Sequence, residues 1–422
     1  MEVKAMIDIE GANRQALGKL LKARPVLVDM GIAKDVIPGL KKNMFLHAGP
    51  PIDWGNMSGP MRGAVIAGIL YEGMAKTAEE AEGLASSGKI IFEPNHHRHS
   101  VGPMAGVITP NMPVFIIENK EYGNKAFTNM MEGLGKTMRM GAYSEEVIKR
   151  LRWMKDVLYP NLEAGIREAA KEGGIDLKFI IAQALHMGDE LHNRNKAGTS
   201  LFVRLLAPFM IEAADCKKEA AETIRFLDKN DIFFVNLAMA AAKASLEPAH
   251  GVEGSSLVTI MSRNGTEFGI KVSGMGDEWF TTPAAIPEVL LFPGFTKEDV
   301  NPDIGDSAIM ETLGVGGFAL VCAPAIVQFI GGTYQDSANY TKEMYEIVAG
   351  ENNAYTIPSF NFRGTPTGID VLKVVETGIT PILDTGVACK RAGVGQVGAG
   401  IVRTPMGAYE KAAERFAQKY LG

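Results

Sequence analysis

The sequence predicts an α+β protein: two mixed α/β regions, residues 1–143 and 236–422, on either side of a helical region, residues 144–235. Three observations carry this expectation. Short runs of apolar, often β-branched, residues bounded by glycine, proline or asparagine occur near both ends of the chain. Segments of helical length and periodicity fill the stretch from about Ser144 to Lys229. The length, 422 residues, exceeds what one simple core organises and points to two or three domains. No repeat of fixed period and no low-complexity linker divides them.

In the first region, Pro25–Met30 and Met44–His47 read as short buried strands. Met61–Glu72, small and apolar with Gly63 and Gly68, reads as a closely packed helix. Thr77–Ser87 reads as a second helix, with a threonine N-cap and two glutamates near its dipole. Ile90–Phe92 and Val114–Ile117 are further strands. In the middle region a charged amphipathic helix starts at Ser144 and runs through Met154, with Pro160 and Gly173-Gly174 as interruptions. Leu177–Leu191, Thr199–Ala213 and Lys217–Asp228 are the next helices. In the last region Leu257–Arg263 and Thr266–Val272 flank Asn264-Gly265, a type I′ hairpin signal. Asp336–Val348 reads as a helix.

Composition excludes several classes. Hydrophobic residues make up 46% and charged residues 22%, an ordinary globular balance. The net charge is −6 and no basic stripe is present, which argues against nucleic-acid and anionic-membrane partners. The cysteines Cys216, Cys322 and Cys389 are far apart and odd in number. They are expected to be buried thiols in a reducing compartment. With no apolar segment after Met1-Glu-Val-Lys4, a cytoplasmic protein is expected. Thr312–Gln335 carries no charge and is long enough to span a bilayer. Its five glycines and Pro324 instead favour a buried helix or helix pair.

Five of the seven histidines lie in two short segments, His96-His97-Arg98-His99 and His186 to Asn195. The second adds Asp189, Glu190, His192, Asn193 and Arg194. A core has no use for such a density of polar groups, because burial without partners costs several kcal/mol each. A site handling anions or protons uses all of them. The first segment follows a strand, where side chains commonly enter a cleft. In a continuing helix His186, Asp189 or Glu190, and Asn193 share one face. A metal is one reading, from the His97/His99 pair completed by Asp189, Glu190 or His192. Arg98 and Arg194 would repel a cation, so an anion site fits better, with no metal and no cofactor. The expectation is one cleft built from both segments. The glycine-rich Leu313–Gly317 and Gly393–Gly400 could direct backbone N–H groups at an anion or simply allow close packing. Trp279 reads as core, and Asp277 and Glu278 as solvated. Neither G-x-S-x-G nor H-E-x-x-H is present.

Four longer motifs carry a family resemblance: Leu46-His-Ala-Gly-Pro-Pro51, Val101-Gly-Pro-Met-Ala-Gly106, Glu132-Gly-Leu-Gly135 and Met187-Gly-Asp-Glu-Leu-His-Asn-Arg194. They resemble the YlbE-like family, over nearly the whole chain from about Arg24. Its members occur beside FdrA-like proteins similar to succinyl-CoA synthetase. The resemblance implies a subunit of oxamate carbamoyltransferase in anaerobic allantoin catabolism, converting oxalurate and phosphate to oxamate and carbamoyl phosphate. It implies an FdrA-like partner and a third subunit. The isolated chain is expected to be a homo-oligomer. The residues allow that chemistry. Arg98 and Arg194, with Asn193 and Asn195, could hold the anions. His96, His97 or His99 could donate to the carbonyl oxygen. His186 or His192, oriented by Asp189 or Glu190, could protonate the departing nitrogen. Two alternatives remain: a non-catalytic scaffold or regulatory subunit, and a metal-dependent lyase or hydrolase acting on a small keto acid or amide.

Overall fold

The computed structural model describes residues 7–328 and 331–422. The opening Met1-Glu-Val-Lys4, read above for a leader, lies outside the described residues, as do two residues of the uncharged 312–335 run. The fold is α+β, as expected, and mostly antiparallel. A five-stranded sheet runs in the order Ser100–Val101, Lys125–Asn129, Pro113–Asn119, Pro25–Ile32, Ile175–Asp176. A four-stranded sheet runs Phe280–Pro283, Glu267–Val272, Val258–Asn264, Ile304–Gly305. A three-stranded sheet joins Glu288–Leu291, Gln396–Arg403 and Ile382–Ala388. Met44–His47 pairs in parallel with Ile91–Pro94.

At the centre lies the helix Phe234–Leu246, buried along its full length. A largely apolar helix with no solvent face must be surrounded; this one packs across the five-stranded sheet. The apolar cluster around it draws residues from Ala12 to Tyr355 and crosses residues 143 and 235. A second cluster, from Val258 to Phe416, fills the C-terminal part.

The hairpin forms where expected, with Arg263 paired to Phe268. Its turn is not type I′, which needs positive φ at both central residues. Gly265 has φ +84, but Asn264 is not left-handed. Instead the Asn264 side-chain carbonyl accepts the backbone N–H groups of Thr266 (3.0 Å) and Glu267 (2.7 Å) and closes the loop.

Several boundaries differ from expectation. Pro160 does not interrupt its helix: Glu145–Trp153 passes through a π-helical turn, Met154–Leu158, into Tyr159–Lys171. Pro160 sits in the first turn of that last piece, where the wider turn tolerates its missing N–H. The expected Leu177–Leu191 helix ends at His186. In its described residues Thr312–Gln335 is neither one helix nor a simple pair, but a string of short helical pieces. Among the described residues no helix is long and apolar enough to cross a membrane. The glycine-rich 393–400 run is largely strand, its backbone paired with Glu288–Leu291 and Ile382–Ala388. Cys389 is buried as expected, but Cys322 is partly exposed and Cys216, which precedes a surface helix, is exposed.

Candidate functional site

The strand Ile91–Pro94 runs into a tight helical turn, Asn95–Arg98, which His99 ends in left-handed conformation (φ +54). This turn sends its four side chains in different directions. His96 points inward, its Nε2 3.4 Å from Asp306 Oδ1. The Asp306 carboxylate accepts backbone N–H groups from Gly49 (3.0 Å) and Gly102 (2.9 Å). It also accepts the Asn95 amide (2.8 Å) and the Ser262 hydroxyl (2.5 Å). Burial opposes its ionisation, but His96 and these donors hold it below the usual carboxylate range. Two of the four sequence motifs, 46–51 and 101–106, therefore supply donors to one buried carboxylate.

His97 accepts the indole N–H of Trp279 at Nε2 (2.9 Å). Arg98 turns away from the cavity and makes paired contacts with Glu93, Nε and Nη2 each 3.0 Å from Oε2. Its guanidinium is thus engaged by Glu93. His99 Nδ1 lies 2.9 Å from Glu247 Oε1.

His96, His97 and His99 line a cavity of about 710 Å³ together with Lys243, Lys271, His250 and Trp279. Lys243 comes from the central helix and Lys271 from the hairpin, and each is 3% exposed. Their partners are Glu247 (2.9 Å) and Asp277 (3.0 Å). Asp277 sits at the exposed rim, so the lysine charge inside is only partly matched. Burial, and then Lys271, pushes His97 down to about 4. Burial, with Lys243 and Lys271 nearby, also holds His96 and His250 below the ordinary imidazole range. In this cavity three histidines shifted towards the neutral form, His96, His97 and His250, meet two buried lysines.

The second segment is not helical beyond His186. Gly188 (φ +97) and Leu191 (φ +75) turn it back on itself, so no common helical face exists. His186 is exposed, with Nε2 2.8 Å from Thr356 Oγ1. Asp189 accepts the Gly198 N–H (2.9 Å) near the start of helix Lys196–Ala213. Burial raises Asp189 to about 6. Arg194 Nε lies 3.5 Å from Asp189. Glu190 is fully buried and accepts the backbone N–H groups of His192 (2.5 Å) and Arg194. The Asn195 amide donates to the His192 carbonyl (2.9 Å).

His192 Nδ1 lies 2.7 Å from Glu311 Oε1 and 3.5 Å from Asp384 Oδ1. Burial, opposed by His192 and reinforced by Glu311, raises Asp384 to about 7. Burial and Asp384 raise Glu190 well above the carboxylate range. The Leu313–Gly317 glycines serve this cluster. Gly317 N–H donates to Glu311 Oε1 (2.9 Å) and Gly316 N–H to the Glu190 carbonyl (2.7 Å). His192 and Asn193 line a second cavity, of about 280 Å³, with Met104, Arg139, Ser307 and Gln396.

The two histidine segments thus line two cavities rather than one cleft. One short stretch joins them: Asp306 holds His96, Ser307 lines the second cavity, and Glu311 holds His192. Sequence reasoning missed Lys243, Lys271, His250, Asp306, Glu311 and Asp384. Lys243 had a readable signal, as the single charge in a mostly apolar helix. The others are scattered and gave none.

The class follows from comparison over this same framework. A family model described as oxamate carbamoyltransferase subunit AllG matches residues 90–307, which span both histidine segments and most of each cavity. The chain is 45% identical over 413 residues to the oxamate carbamoyltransferase subunit AllG of Escherichia coli, covering 97% of this chain and 98% of that one. The chain belongs to the AllG family of oxamate carbamoyltransferase subunits. It is also 47% identical over 413 residues to the uncharacterized protein YahG of Escherichia coli, covering 98% of this chain and 87% of that one. A crystal structure of a conserved protein of unknown function from Enterococcus faecalis superposes with a TM-score of 0.95 at 47% identity, covering 98% of each chain.

Proposed function

We propose that this chain is a subunit of a carbamoyltransferase that converts oxalurate and phosphate to oxamate and carbamoyl phosphate, with the anion held in the larger cavity. The observation that carries the reading is the pair Lys243 and Lys271, both almost wholly buried and both lining a cavity with three or more histidines. Buried cations attract small dianions far more strongly than exposed ones, because water does not screen them. Family membership supports the substrate.

In this reaction a phosphate oxygen attacks the ureido carbonyl carbon, the bond from that carbon to the inner nitrogen breaks, and a proton passes to the departing nitrogen. Negative charge develops on the carbonyl oxygen. Lys243 and Lys271 would stabilise it together with the phosphate, and the neutral His96 and His97 would relay the proton rather than supply it as imidazolium acids. Positioning and electrostatics suffice, without a covalent nucleophile. The FdrA-like protein and a third subunit complete the enzyme in the cytoplasm, and the isolated chain associates with itself.

The test is reconstitution with those partners and an assay of phosphate-dependent oxalurate breakdown. Lys243→Met and Lys271→Met should each lower kcat/KM by roughly 30- to 1,000-fold, about 2–4 kcal/mol of transition-state stabilisation. Arg98→Ala should have a small effect, since its guanidinium is engaged by Glu93. If both lysine variants assemble and keep wild-type rate and affinity, this cavity does not hold the anion. Loss confined to assembly would identify a scaffold.

A further inference from the structure

We propose that His192, Glu311 and Asp384 form a binding site for a divalent transition-metal cation at the wall of the smaller cavity. One donor atom from each of the three lies within 4.8 Å of the other two, and all three residues are buried. That spacing suits ligands arranged around a single ion, whose metal–donor bonds are about 2.0–2.2 Å.

A cluster of carboxylates is common without any ion, so the state of their oxygens decides. Asp384 is fully buried, and neither of its carboxylate oxygens accepts a hydrogen bond from a standing donor among the described residues; the groups beside it are His192 Nδ1 at 3.5 Å and the carboxyls of Glu190 and Glu311. Glu311, also fully buried, leaves Oε2 unpartnered in the same way. Buried polar atoms are almost always satisfied, so three orphaned carboxylate oxygens at one point call for a ligand. Nearby cations do not answer that call. The Arg263 guanidinium is spent on Asp303, at 2.6 and 3.0 Å, and on the Gly305 carbonyl at 2.7 Å. Glu190 adds a third buried carboxylate, whose oxygens take the N–H groups of His192 and Arg194 and so hold the loop that presents His192. When all three acids are ionised, one imidazolium leaves excess negative charge, which a divalent cation would compensate.

The surroundings fix the donors in place. Gly317 N–H orients Glu311 through Oε1, leaving Oε2 free. Gly316 admits no side chain, because a Cβ there would lie 2.4 Å from Glu311 Oε1 and 3.2 Å from His192 Cβ. Asp384 lies on the strand Ile382–Ala388, two residues from Gly386, so both share one face of that strand. Gly386 and His192 line the smaller cavity. A cation held here would therefore border that cavity and could present an open position to it. A set of one nitrogen and several carboxylate oxygens, with no thiolate, suits Zn²⁺, Mn²⁺ or Fe²⁺ better than Ca²⁺, which prefers oxygen alone.

The inference does not depend on the carbamoyltransferase reading, because it is tested without turnover. The purified chain is treated with chelator, and Mn²⁺ and Zn²⁺ are added separately in equilibrium dialysis, with thermal unfolding recorded in parallel. One equivalent per chain is expected to bind, and saturating metal to raise Tm, since a ligand of the native state stabilises it. Asp384→Asn keeps shape and removes one ligand charge. It should fold with a Tm in chelator no lower than wild type, yet bind at least tenfold more weakly and lose the metal-induced rise. Glu311→Gln should behave alike for binding. Absence of stoichiometric binding and of any Tm shift in the wild-type chain would overturn the proposal. So would an Asp384→Asn chain that binds metal as tightly as wild type.

Discussion

The indole N–H of Trp279 donates to Nε2 of His97 at 2.9 Å, which fixes the tautomer of that histidine. Indole is a donor only, so Nε2 must be unprotonated and the ring proton sits on Nδ1, 3.8 Å from Glu93 Oε1. A doubly protonated ring would clash with the indole hydrogen. Burial and Lys271 act in the same direction and bring His97 to about 4.

His97 should therefore remain neutral down to about pH 4, which NMR titration of its ring protons checks directly. In the unfolded chain it protonates near 6.5. Between these values the unfolded state binds more protons, so this group makes stability fall as pH falls. Trp279→Phe removes the donor while keeping an aromatic ring near Lys271, and should move the titration upward. A midpoint unchanged from wild type would mean that burial and charge alone set it.

Glu247 acts in the same direction, in a lower pH window. Burial opposes its ionisation, but Lys243 and His99 outweigh it and bring the carboxyl from 4.5 to about 2. Its folded value lies below its unfolded one, so the stabilisation is complete above about pH 4.5 and is lost as pH falls towards 2. The amount is on the order of 2–3 kcal/mol. Urea unfolding at pH 5.5 and pH 3.5 reads the effect. Glu247→Gln should be less stable at the higher pH and should lose less on acidification. Equal losses in both chains would contradict the pairing.

Local chemistry made much of the fold legible. Met44–His47, Lys217–Asp228 and the Thr77 cap are set by residues adjacent in sequence. The hairpin was readable for a similar reason, although the Asn264 side chain, and not a left-handed backbone, closes it. The site was less legible. Histidine density marked both cavities, but the partners that define them arrive from afar: Lys243, Lys271, Asp306, Glu311 and Asp384. Glu190 and Asp189 looked like catalytic acids on a helix. Each instead accepts backbone N–H groups where the helix has ended, and no periodicity argument sees that.

Gly49 shows why one of the sequence motifs tolerates no side chain. It has φ +90, and a Cβ there would lie 2.4 Å from the backbone nitrogen of Asn264 and 2.6 Å from the carbonyl carbon of Arg263. Neither atom can rotate away. Gly49→Ala should cost about 3 kcal/mol or more and weaken the docking of the hairpin. Gly123→Ala is the matched control: φ is +76 with nothing within 4 Å, so only the backbone cost of about 1 kcal/mol is expected. Thermal unfolding of both variants distinguishes strain from collision. Similar losses would show that the backbone at Gly49 yields.

The buried pair between Arg263 and Asp303 supplies the strongest test of the C-terminal core. Arg263 is 1% exposed and Asp303 4%, and two guanidinium nitrogens contact the carboxylate at 2.6 and 3.0 Å. Removing both charges from water was costly, so the pair itself adds little net stability. Removing one partner is different, because it strands the other. Asp303→Asn should cost about 3–5 kcal/mol, since the Arg263 charge stays buried and its remaining contacts, the Gly305 carbonyl and the Ser307 and Thr385 hydroxyls, are neutral. The double variant Arg263→Met, Asp303→Leu replaces the pair with apolar groups and should recover a large part of that loss. Urea unfolding of Arg263→Met, Asp303→Leu and the double variant gives the coupling energy. Additive losses would mean that the two groups do not depend on each other, and that the core holds the guanidinium by its neutral contacts alone.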